Sequence, residues 1–146
     1  MKEKLYSYFL VSMQYLLAFI LLFLNSSFTS KIVPLSIFVV GFIIGIYAIY
    51  NNKLHNFNII PEIKDGAELV THGVYGYIRH PMYFSVALMM FGIVIFDLNI
   101  INITIYLLLL LSLFLKANKE EKLWSKKTPN YKKYKQKTKM IIPHIL

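Results

Sequence analysis

The 146-residue chain contains no cysteine, which removes a disulfide framework, a thiolate metal site and a cysteine nucleophile together. Acid is scarce: seven Asp and Glu stand against sixteen Lys and Arg, for a net charge of +9. The partner surface should therefore be anionic, either lipid headgroups or nucleic acid. The four histidines, His55, His72, His80 and His144, show no ligand spacing with acids or with each other, so no metal site is expected. No internal repeat or low-complexity tract stands out beyond a Lys-rich tail. What the chain has in excess is apolar: 57% of it is hydrophobic and its mean hydropathy is +0.54, against about 45–50% apolar residues in an ordinary soluble domain. A chain this short buries only about two-thirds of its unfolded surface, so its runs of Leu, Ile, Phe and Val must face a bilayer.

Four apolar segments can be measured against the ~20 residues that cross a ~30 Å hydrocarbon core. Leu5 to Leu24 and Ile32 to Tyr50 suffice. Pro81 to Phe96 is short and Leu98 to Leu115 adequate, so the pair reads as a tight hairpin turning at Asp97, Leu98 and Asn99. The first segment follows Lys2 and Lys4 like a signal peptide, but it exceeds the usual signal core and lacks a convincing cleavage site, so it reads as a retained anchor. The expected fold is all-α: a single integral-membrane domain over 1–146. It divides into two N-terminal membrane helices (5–50), a loop (51–80), a helical hairpin (81–115) and a basic tail (116–146).

With four crossings, fifteen of the sixteen positive charges fall on one side and only Lys31 on the other. The positive-inside rule then puts both termini and the 51–80 loop in the cytoplasm. The ten Lys from Lys116 onward would attract anionic lipid at ~1 kcal/mol each. Nucleic acid is not expected, since the tail has no Arg, no Gly-rich segment and no recognition fold. After Pro129, residues Tyr131, Tyr134, Thr138 and Ile141 recur at roughly helical spacing, as in a short helix lying on or near the headgroups.

Two clusters could carry chemistry. Leu69 to Tyr83 reads LVTHGVYGYIRHPMY and ends a polar loop where an apolar helix starts. Pro81 suits the first helical position, which leaves Arg79 and His80 at the positive end of a helix, a good place for a carboxylate or phosphate. Tyr75, Tyr77 and Tyr83 add rings that could stack on a base. The plain alternative is a snorkelling arginine, a helix start and an interfacial tyrosine belt. The second cluster is Lys116, Glu120, Glu121 and Trp124, whose plain alternative is a solvated, salt-bridged helix end.

Together the clusters resemble the integral-membrane methyltransferases of the isoprenylcysteine carboxyl methyltransferase and phosphatidylethanolamine N-methyltransferase-like superfamily. The matching residues are Leu69, Val70, Thr71, Gly73 and Tyr75; Arg79, His80, Pro81 and Tyr83; Glu120 and Glu121; and Tyr131, Tyr134 and Pro143. They run in order over about residues 59–146. The resemblance implies S-adenosyl-L-methionine as cofactor and methyl transfer to a lipophilic or membrane-embedded acceptor, for which an isoprenylcysteine-like carboxylate is one candidate. It also implies cofactor contacts by Leu69, Val70, Tyr75, His80, Pro81, Met82, Tyr83 and Glu120, with Arg79 and Lys116 orienting the acceptor or balancing charge. Lys116 stands where the family commonly has Arg, losing the bidentate fork that grips a carboxylate. The rival readings are an NADPH-dependent membrane reductase and a non-catalytic membrane protein that binds anionic lipid or a partner through its tail.

Overall fold

Runs of Leu, Ile and Phe form the long helices, and each break falls at a polar residue or a proline. The structure, a computed structural model, describes residues 2–52, 56 and 58–142. Lys53, His55, Pro143 and His144 lie outside these residues. Five helices follow in order: α1 (Lys2–Leu24), α2 (Ile32–Asn52), α3 (Pro81–Val94), α4 (Ile100–Lys127) and α5 (Asn130–Lys137). No strand occurs among the described residues, only an isolated parallel bridge between Ile78 and Lys139.

The hairpin turns where expected. Pro81 occupies the first turn of α3, and the Asn99 side chain caps α4 by accepting the Asn102 N–H at 2.9 Å. Beyond Leu115 α4 continues for more than three further turns, because neither Gly nor Pro interrupts it before Pro129. Thr128, directly ahead of that proline, is extended and ends it.

Helix α2 packs most closely on α3, and α1 runs along α4. Small residues make the first contact possible. A Cβ on Gly41 would stand 2.8 Å from the Met89 backbone nitrogen, one on Gly92 2.7 Å from the Pro34 carbonyl, and Ser85 Oγ donates to the Gly41 carbonyl at 2.8 Å. The successive helices α1 and α2 scarcely touch, leaving a cleft between them.

The α1–α2 and α3–α4 turns lie at one end of the bundle. Lys31 donates to the Phe96 carbonyl at 3.2 Å, and the buried amides of Asn25 and Asn102 bond reciprocally at 3.1 and 3.2 Å. The opposite end gathers the N-terminus, the polar loop and the distal part of α4, where Lys119 Nζ donates to the Glu3 carbonyl at 2.8 Å and Ser7 Oγ to Glu62 Oε1 at 3.2 Å.

Helices α1, α2 and α4 are long and apolar enough to cross a membrane. The 14-residue α3 spans only ~21 Å and leans on α2 and α4. Outward-facing Phe9, Phe19, Phe23, Ile43, Leu107 and Phe114 are exposed, an apolar belt suited to hydrocarbon. The protein is a multi-pass, all-helical membrane protein. Gly41→Ala should push α2 from α3 and cost about 1–3 kcal/mol, read as a lower unfolding temperature in detergent. Gly76→Ala, whose Cβ would meet nothing closer than 3.5 Å, should leave it nearly unchanged.

Candidate active site

At the polar end, three distant chain segments are locked together around the start of α3. Gly73 opens the 3-10 turn Gly73–Gly76 with φ +59°, and a Cβ there would fall 2.0 Å from Asn51 Oδ1 at the end of α2. Only glycine fits both requirements. The turn buries Tyr75, whose carbonyl accepts the Tyr134 hydroxyl of α5 at 2.6 Å. The chain after α5 then pairs with the loop: Arg79 N donates to Lys139 O at 2.8 Å, His80 N to Met140 O at 2.9 Å, and Lys139 N to Tyr77 O at 3.1 Å.

Side chains close the same junction. Arg79 Nε meets Glu121 Oε1 at 2.6 Å and Lys135 Nζ meets Glu121 Oε2 at 2.6 Å, while the Arg79 guanidinium also donates to the Thr138 carbonyl. Glu121 is only 5% exposed, so the solvated helix end expected as the plain alternative is replaced by a buried ion pair network. Trp124 stacks on Tyr131 at 6.4 Å, and Tyr131 meets Tyr134 edge-on at 5.8 Å. Tyr131, Tyr134, Thr138 and Ile141 thus face inward and are buried, rather than resting on headgroups, because their side chains complete the protein's own core. Lys132, Lys133, Lys135 and Lys137 remain on the exposed side.

Glu120 points elsewhere. It accepts the Tyr83 hydroxyl, and its second oxygen lies 3.4 Å from His80 Nδ1. The His80 and Tyr83 rings are parallel at 5.4 Å. Burial alone would lower the His80 pKa, but the hydrogen bonds and charges of Glu120 and Glu121 outweigh it and hold the imidazole above its ordinary 6.5. Nε2 of His80 is buried and faces Glu121 Oε1 at 3.7 Å, with no closer partner among the described residues. Burial also raises the phenols of Tyr75, Tyr131 and Tyr134 above the ordinary range.

Leu69, Val70, Tyr75, His80, Pro81, Met82, Tyr83 and Glu120 all line one cavity of about 110 Å³, together with Arg79. Lys116 does not. It lies in a second cavity of about 240 Å³, floored by α3 and α4 beneath the cleft between α1 and α2. The two cavities share Asn58, Met82 and Tyr83. Tyr77, one of the three rings considered from sequence, is 73% exposed and outside both. Sequence reasoning missed Asn58 and Glu62 in the loop and Gln14 on α1, since none sits in a motif and only the fold brings them to the cavities.

Residues 29–131 match the phospholipid methyltransferase family. The chain belongs to that family. The match takes in α2, α3, α4 and both polar clusters as far as Tyr131, whereas α1 and the end of the tail lie outside it. Neither a curated protein nor a solved structure matches the chain. Membership in the phospholipid methyltransferase family indicates a membrane methyltransferase, with the paired cavities as its candidate active site.

Two predictions test this junction. Glu121→Gln strands Arg79 and Lys135 beside a neutral amide, so stability should fall by about 3–5 kcal/mol, with faster proteolysis in the tail. Folding favours protonated His80, so its contribution is complete below the unfolded value of 6.5 and fades as pH rises through the higher folded value. The unfolding temperature of the wild type should therefore fall further than that of His80→Gln between pH 6 and 9; parallel curves would contradict the coupling.

Proposed function

We propose that this protein transfers a methyl group from S-adenosyl-L-methionine to a lipophilic acceptor that enters from the bilayer. The observation that carries the reading is the meeting of two unlike cavities at Met82 and Tyr83, one polar with aromatic walls, the other apolar and open sideways between α1 and α2.

The first cavity suits the donor's chemistry. His80 lines it at the start of α3, where its cationic ring, backbone donors and the helix dipole favour a carboxylate. Glu120, 21% exposed in its side chain, can accept from an ammonium or ribose hydroxyls. Tyr75, Trp124 and Tyr131 line it with aromatic surface suited to adenine. When bound, the sulfonium supplies an electrophilic methyl group. The protein's part is placement: Met82 and Tyr83 separate the cavities, the tail closes the polar one from water, and the cleft admits an acceptor from the side.

The charge distribution supports a cytoplasmic site. Fourteen of the fifteen cations among the described residues belong to segments of the polar end, which the positive-inside rule assigns to that face. The exposed lysines of α5 would then rest near anionic headgroups.

Purified protein in nanodiscs should bind S-adenosyl-L-methionine saturably in calorimetry. Glu120→Gln should weaken binding about tenfold or more, ~1.4 kcal/mol. S-adenosylhomocysteine should raise the unfolding temperature and NADPH should not. Stabilisation by NADPH alone would instead favour a reductase.

A further inference from the structure

The polar cavity measures about 110 Å³, below the ~300 Å³ at which pockets for drug-sized ligands begin, so part of its wall must move to admit a ligand of that size. Much of the wall is fixed. The start of α3, the distal part of α4 and the tail are locked by the Arg79–Glu121–Lys135 pairs and by the backbone bonds of Arg79 and His80 to Lys139 and Met140. The remainder is the loop ahead of Leu69, which lines the cavity with Asn58, Glu62, Ile63, Lys64, Ala67 and Glu68.

The bonds of this loop are largely its own. Its two ends are pinned at a neck, where Asn56 Nδ2 donates to the Glu68 carbonyl and Glu68 N to Asn56 Oδ1, each at 3.1 Å. Further along, Asn58 Nδ2 donates to the Glu62 carbonyl at 3.1 Å and Ala67 N to the Lys64 carbonyl at 3.2 Å. That is the plan of an Ω-loop, a form that active-site lids take. At its tip Gly66 has φ +75° and open space where a Cβ would stand. Among the described residues, three side chains from elsewhere bond to the loop. Ser7 Oγ donates to Glu62 Oε1 at 3.2 Å, Lys116 to the Ile59 carbonyl at 3.3 Å, and Lys127 to the carbonyls of Ala67 at 2.8 Å and Lys64 at 3.4 Å. Lys127 is the one that reaches the tip. Its ammonium also stands 5.4 Å from the centre of the Trp124 ring, itself part of the cavity wall, so a single exposed side chain joins the free edge of the loop to the rim opposite.

We propose that residues 58–68 are a lid over the polar cavity and that Lys127 is the positioning residue that latches it. That the enclosed ligand is the sulfonium donor rests on the methyltransferase reading above; the latch does not. Closed, the lid brings its polar side chains and Trp124 around the ligand and excludes water; open, it gives the ligand a way in and out. One exposed ammonium on two carbonyls suits that duty, since a charge-assisted bond at the surface favours the closed state yet breaks and re-forms readily.

The full chain in nanodiscs carries what the test needs. It has no cysteine and one tryptophan, so a bimane on Asp65→Cys, an exposed site two residues from Ala67, reports the closed lid through contact quenching by Trp124; the same label with Trp124→Phe gives the unquenched reference. Without any ligand, the label should be quenched in the otherwise unaltered protein and in Lys127→Arg, which keeps the N–H groups. In Lys127→Met, which keeps the stem and loses them, it should approach the reference. Lys126→Met, the neighbouring exposed lysine, should leave it quenched. With radiolabelled S-adenosylhomocysteine, Lys127→Met should quicken association and dissociation alike, by about tenfold, because a freed lid opens for entry as well as exit. Unchanged quenching in a folded Lys127→Met would overturn the proposal, as would an equal effect of Lys126→Met, or faster dissociation with unaltered association. If the quenching follows Lys127 while S-adenosylhomocysteine does not bind, the methyltransferase reading falls and the latch stands.

Discussion

Glu121 is the residue on which the polar end closes. Its two oxygens take Arg79 from the segment before α3 and Lys135 from α5, so a single carboxylate on α4 ties together residues 42 positions upstream and 14 downstream. A buried acid is tolerated only when paired, and here the pairing fixes the path of the tail. The neighbouring acid has a different environment because successive residues on a helix point about 100° apart. Glu120 thereby takes no part in the Arg79 and Lys135 pairs and faces His80, Tyr83 and the cavity. Two adjacent glutamates divide into one that holds the walls and one that lines the space between them.

The bundle prepares this end by geometry set elsewhere. Glycine contacts draw α2 and α3 together, and the pairing of α1 with α4 leaves the α1–α2 cleft over the apolar cavity. The Asn25–Asn102 amide pair and the Lys31–Phe96 contact fasten the far end, so α3, though short, runs from the polar junction to the opposite turn. The tail reaches back into the hydrophobic core through Met140 and Ile141. Membrane packing and site closure are therefore coupled along one helix, α4, which contributes Leu109 and Leu113 to the core, Lys116 to the apolar cavity and Glu120 to the polar one.

Much of this was legible in the residues themselves. Apolar length, Pro81, the polar Asp97–Asn99 turn and Pro129 mark helix limits through local physics, and the eight residues that the family resemblance, not local physics, implied for the cofactor line one cavity. Other features depend on packing over long separations, which leaves no local trace. Gln14 looks like an isolated polar residue in a membrane helix until α1 lies beside Lys116, 102 positions away. The inward face of the tail has the same spacing as a helix on headgroups; only the Tyr75 carbonyl and the Trp124 ring decide which surface it meets. Arg79, the chain's single arginine, is engaged by Glu121 and Thr138 at the polar cavity, while Lys116 stands in the other, a separation that spacing alone does not disclose.

The central claim is that segments far apart in the chain enclose one methyl donor. Photoaffinity labelling of the nanodisc-embedded protein with radiolabelled S-adenosyl-L-methionine, followed by peptide mapping, addresses it directly. The account predicts label in both the 69–83 and 120–134 segments, displaced from both together by S-adenosylhomocysteine. Label that resists this displacement, or that falls outside both segments, would contradict it.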